Sequence, residues 1–101
     1  MEQLADWLKS QHKGLRTYKT FQQKVLELGA KSGRDFALYS LLAALVGRFI
    51  DAYDDSPLTL DVTDEAHKRL TTLSEKAARY ETLSAESRLS LLDDIAKSEL
   101  G

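Results

Sequence analysis

Six acidic residues crowd one short stretch: Asp51, Asp54, Asp55, Asp61, Asp64 and Glu65. Hard cations such as Mg²⁺ and Ca²⁺ want grouped carboxylates. The spacing misses the EF-hand pattern, lacking its glycine and its closing glutamate. A helix end, a turn and a helix start are each acidic for solvation and dipole reasons, so the cluster is read as solvated charge, with no metal site. His67 follows Asp64 by three positions, on one helical face. Carboxylate-bridged di-metal bundles use an acid-x-x-His pair twice, with further glutamates. The only other histidine, His12, has no acid three residues before it, so His67 is expected on the surface.

Nucleophilic catalysis needs a nucleophile, a base and an orienting group. With two histidines and no cysteine, none of the familiar signatures is present: no G-x-S-x-G, no P-loop, no G-x-G-x-x-G. A core this small also leaves little room for a pocket. The expectation is a protein that is not an enzyme and carries no cofactor.

Residues 9–24, KSQHKGLRTYKTFQQK, offer different chemistry. Five Lys/Arg are interleaved with Tyr18 and Phe21. Cations meet phosphates and aromatic rings stack on bases, so nucleic acid is one reading of this stretch. Its candidate contacts are Lys13, Arg16, Lys19, Lys24 and Lys31. The same face would suit an acidic protein surface, including the acidic half of a second copy. Tyr18 and Phe21 also fit the apolar side of a helix; if they are core, only a solvated basic face remains.

The elements that must position these groups read as helices. Phe36, Tyr39, Ala43, Val46, Ile50 and Tyr53 form one seam, and Leu38, Leu42, Leu45, Phe49 and Ala52 form another about 110° away. A helix apolar on two sides belongs in the middle of a bundle, or between its own subunit and another. The strip left over is Ala37, Ser40, Ala44, Gly47 and Asp51. Its small side chains permit close backbone approach, but Arg48 and Asp51 make it read as a narrow solvent face. Ser32 and Asp35 resemble a capping box that starts this helix near Gly33, giving a span of about 33–53.

Ahead of it, residues 2–12 read as a short helix with Leu4, Trp7 and Leu8 on one face. Residues 15–30 form the next, with Leu15, Tyr18, Gln22, Val25 and Leu28 inward and Phe21 and Leu26 widening that face. After Tyr53, Asp54–Pro57 is a turn, and Leu58, Leu60 and Val62 alternate as an extended segment. Thr63 is expected to cap a helix buried along Ala66, Leu70, Leu73, Ala77 and Tyr80. Acid-first i,i+4 pairs join Glu65 to Arg69, Glu75 to Arg79 and Asp93 to Lys97. Ser84 caps the last helix, with Leu89, Leu92, Ile95 and Ala96 inward and Leu91 adjoining.

The fold class is therefore all-α: a single helical domain over 1–101, a four- to five-helix bundle around the 33–53 helix. One proline and five glycines are too few for a many-stranded β fold. The apolar run of 36–50 falls short of the ~20 residues a membrane span needs and contains Arg48. The first residues, MEQLADWLKSQHKG, lack the apolar core of a secretory signal, and the absence of cysteine fits a cytoplasmic chain. Charge is uneven. Residues 1–34 hold seven Lys/Arg against three Asp/Glu, a net of +4; residues 35–101 hold seven against thirteen, a net of −6. Such polarity steers a partner or pairs two copies. The functional expectation is a non-catalytic protein-interaction or regulatory module that docks a partner protein and self-associates, as a homodimer in the simplest case. The alternative is a nucleic-acid-binding protein using the basic N-terminal third.

Overall fold

Two apolar seams on one helix need neighbours on two sides, and the rest of the chain supplies them. The computed structural model describes residues 1–101. The elements are α1 (Glu2–Lys9), α2 (Leu15–Lys31), α3 (Phe36–Tyr53), α4 (Leu60–Ala78), a 3-10 turn (Tyr80–Thr82) and α5 (Ala85–Lys97). The chain is an all-α bundle without strands, and α3 is its central member. Leu38, Leu42, Ala43, Leu45, Val46, Phe49 and Ile50 of α3 are buried. They join Leu8, Tyr18, Phe21, Val25, Leu70, Leu91, Ile95 and Leu100 in one core cluster. By length and composition alone α3 is apolar enough to cross a membrane, yet the middle of each seam, Ala43–Val46–Ile50 and Leu38–Leu42–Leu45–Phe49, lies within this core.

Helix α2 runs antiparallel to α3 and packs closely on it. A Cβ at Gly29 would stand 3.1 Å from that of Tyr39, and one at Gly47 would stand 2.8 Å from Gln22 Nε2. The Gln22 amide donates to the Ala43 carbonyl at 3.1 Å. On the opposite side α5 runs parallel to α3. Arg48 donates to the Ser98 carbonyl at 3.1 Å, and Gly101 comes to rest beside Phe49 and Tyr53. Helix α1 closes the ring against α4: the His67 ring N–H donates to the Leu8 carbonyl at 2.9 Å.

Several boundaries and registers differ from expectation. The capping box forms only half: Ser32 Oγ accepts the Asp35 N–H at 3.0 Å, while the Ser32 N–H turns back to the end of α2. Helix α3 therefore starts at Phe36, three residues late. Helix α1 stops at Lys9. Thr59, not Thr63, caps α4, accepting from the Val62 N–H. The 60–62 segment is thus helical, and its alternation came from a helix start with exposed Leu60. Thr63 is buried instead, bonding to the Lys13 carbonyl and to the Tyr18 hydroxyl. Helix α5 turns Leu91 and Ile95 inward and leaves Leu89 65% exposed; Ala96 is exposed too. Leu26 also faces solvent. Of the three i,i+4 pairs only Glu65–Arg69 forms; Glu75 turns to Lys9 at 3.6 Å.

Candidate functional site

The five basic residues do not converge. Around the α2 axis, at about 100° per residue, Arg16, Lys19, Lys24 and Lys31 spread over about 140°. Lys24 and Lys31 sit on the edge facing α1, and Lys19 sits on the edge facing α3. Lys13 lies in the loop before α2 and pairs with Asp64 at 3.1 Å, while Lys19 pairs with Asp54 at 3.5 Å. The Lys24 ammonium stands 5.2 Å from the centre of the Trp7 ring. Only Arg16 and Lys31 keep their charge clear of a partner. Tyr18 and Phe21 are fully buried, and the half-buried Trp7 ring already carries the Lys24 ammonium. What remains is a solvated basic face.

The acidic residues are dispersed in the same way. Asp54, Asp64 and Glu65 each meet a cation, and no three His, Asp or Glu side chains come together. His67 is not on the surface: it is 9% exposed, with Nε2 committed to a backbone carbonyl of α1. A carbonyl 59 residues away leaves no trace in residue spacing, so this burial is not legible from the chain alone. On the same helix as His67, Thr63 is buried with Tyr18 and bonds to the backbone carbonyl of the exposed Lys13, forming a polar knot. The Tyr18 hydroxyl donates to the Thr63 carbonyl at 2.9 Å, and burial pushes its ionisation upward, opposed by the Thr63 bond and reinforced by Asp64. This knot fastens the 10–14 loop to α4. The trough above it, about 620 Å³, is lined by His12, Lys13, Leu58, Leu60 and Asp64 and lies open to solvent.

A different surface stands out by its lack of charge. On α3 the residues meeting α2 (Tyr39, Ala43, Gly47) and the residue bonded to the segment after α5 (Arg48) leave the expected strip between them. Ala37, Ala44 and Asp51 are exposed, and Ser40 is half-buried. Phe36 opens the strip, 63% exposed. Leu26, 53% exposed, lies one turn beyond Gln22 on the α3-facing edge of α2. Leu89, Leu92 and Ala96 form a stripe beside the buried Leu91–Ile95 seam. The handedness of a helix antiparallel to α4 and parallel to α3 turns that stripe toward α3. Three of the four large apolar side chains left exposed, Leu26, Phe36 and Leu89, therefore edge one face built on α2, α3 and α5; Leu60 lies elsewhere. Monomeric surfaces scatter such residues singly, whereas a contiguous patch marks an interaction site.

No family model matches the chain, and neither a curated protein nor a solved structure matches it.

Proposed function

We propose that this protein acts by docking another protein, as a non-catalytic interaction module, and that it docks through the α2–α3–α5 face. The supporting observation is the exposure of Phe36, Leu26 and Leu89, which helical geometry turns toward the side of the molecule that carries the uncharged Ala37–Ser40–Ala44 strip. Fully burying one such side chain is worth about 1.5–3 kcal/mol relative to leaving it in water, so covering the remaining exposed area of all three contributes to docking. The basic N-terminal third supports nucleic-acid binding less well, because Tyr18 and Phe21 are core and two of its five cations are paired with carboxylates.

A photo-crosslinking amino acid at position 36 or 89, introduced in living cells, tests the reading. It should give discrete protein adducts that are lost with Leu26→Glu. The overturning result is no protein adduct from either position, together with oligonucleotide retention at about 50 mM salt that is abolished by Arg16→Glu/Lys19→Glu.

A further inference from the structure

We infer that the occupant of the α2–α3–α5 face is a second copy of this chain, docked antiparallel across a two-fold axis between Ser40 and Ala44. The inference rests on the docking reading above and names its partner.

A two-fold interface presents the same patch from both sides, so groups near the axis meet their own copies. A charged centre would repel itself. Here the centre is Ala37, Ser40 and Ala44, uncharged and small enough for two α3 helices to approach closely, while Phe36, Leu26 and Leu89 stand around it as apolar ridges. The remaining charges choose the direction. Arg34 stands exposed just ahead of α3, and Asp51 stands exposed near its end; neither has an ion-pair partner within the chain. Asp55, also exposed and without an ion-pair partner, stands at the Asp51 end. Arg34 and Asp51 are separated by about 25 Å along the helix. A parallel pair would set Arg34 against Arg34 and Asp51 against Asp51. An antiparallel pair sets each Arg34 beside the other copy's Asp51, twice, and Ala37 opposite Gly47. Two other pairs on the rim, Lys19–Asp54 and Arg48–Glu99, are already neutralised within the chain.

The footprint also sets the strength. Three adjacent helices 8–10 Å apart and about 15 residues of α3 span roughly 20 Å by 22 Å, on the order of 400 Å² per copy. Two copies together would cover about 800 Å², below the size of stable specific interfaces, so the pairing should be weak and transient and seen only at high protein concentration.

The test is sedimentation and light scattering of the purified chain over a range of concentrations, with charge reversals at the two exposed positions. The wild type should pass from monomer to dimer mass. Arg34→Glu alone and Asp51→Lys alone should each weaken the dimer roughly tenfold, since two attractive contacts become repulsive. Mixed together, the two single variants should form a mixed dimer of wild-type strength, because both contacts are then complementary. Both sites are exposed, and circular dichroism checks that each variant folds. Three results would overturn the inference: a monomer at every concentration, a dimer indifferent to Phe36→Asp and to both reversals, or a chain that stays monomeric and binds neutral phosphatidylcholine vesicles through Phe36. A monomer whose position-36 probe still captures a different protein would sink the self-pairing and spare the docking reading. Absence of any protein adduct would sink both.

Discussion

Tyr18 places a phenol in the core, where its hydroxyl meets Thr63 twice, at 2.9 Å to the carbonyl and 3.0 Å to Oγ1. Tyr18→Phe keeps the ring and deletes those bonds, which should cost about 1 kcal/mol at neutral pH. The same residue governs alkaline behaviour. Burial raises its ionisation above the usual value of 10.0 and favours the neutral phenol in the folded state. Its contribution is therefore complete below about pH 10 and is lost as pH climbs through the folded value. Tyr39 shifts the same way, through burial and the nearby Asp35 and Glu81, but is half-exposed and contributes less. Urea unfolding of the wild type should thus lose stability above pH 10, and Tyr18→Phe should flatten much of that fall. An unchanged slope would mean that Tyr18 ionises no less easily when folded. At this scale the sequence was only partly legible. The apolar side of Tyr18 was readable from its seam, but its hydroxyl partner was hidden because Thr63 looked like a cap.

Helices α2 and α3 approach through two glycines that differ in what blocks a methyl group. At Gly29 the obstacle is Cβ of Tyr39, rooted in the α3 backbone, so the helices themselves must separate. At Gly47 the obstacle is the swinging end of Gln22. Alanine gains up to about 1 kcal/mol of helix propensity at either site. Overpacking at 29 should cost 1–3 kcal/mol and outweigh that gain. At 47 the cost is one amide hydrogen bond, about 0.5–1.5 kcal/mol, so gain and loss nearly cancel. Chemical unfolding should therefore find Gly29→Ala destabilised by about 1 kcal/mol and Gly47→Ala within about 0.5 kcal/mol of wild type; the reverse order would refute this account of the contact. Element by element, legibility followed periodicity. Helices α2, α3 and α4 carry clear seams, and the middles of those seams are buried: Tyr18 and Val25, Leu42 and Val46, Leu70 and Leu73. Helix α5 carries Leu89, Leu91, Leu92 and Ile95 within seven residues, which admits two seams; Ile95 and the adjoining Leu91 are buried as expected, whereas Leu89 and Ala96 face out.

Across the whole molecule, the imbalance of charge between the two ends of the chain is largely resolved internally. Lys9–Glu75, Lys13–Asp64 and Lys19–Asp54 join the basic third to the acidic remainder. All three are about half-exposed, so each is worth under about 1 kcal/mol, and together they orient more than they stabilise. Composition revealed the imbalance but not its resolution, because each pair closes over dozens of residues. One weak point survives in this ring. Helix α1 has eight residues, too short to persist alone, and much of its hold comes from Leu4, Leu8 and the His67 bond to the Leu8 carbonyl. Its amides should exchange with solvent faster than those of α2 and α3, and His67→Leu should hasten them further, as hydrogen-exchange mass spectrometry would register. A segment held so lightly is also tradeable. In concentrated solution after mild heating, one molecule's first eight residues can fill the slot vacated in another. Such interlocked species would double the mass and yet ignore any reversal of charge at Arg34 or Asp51.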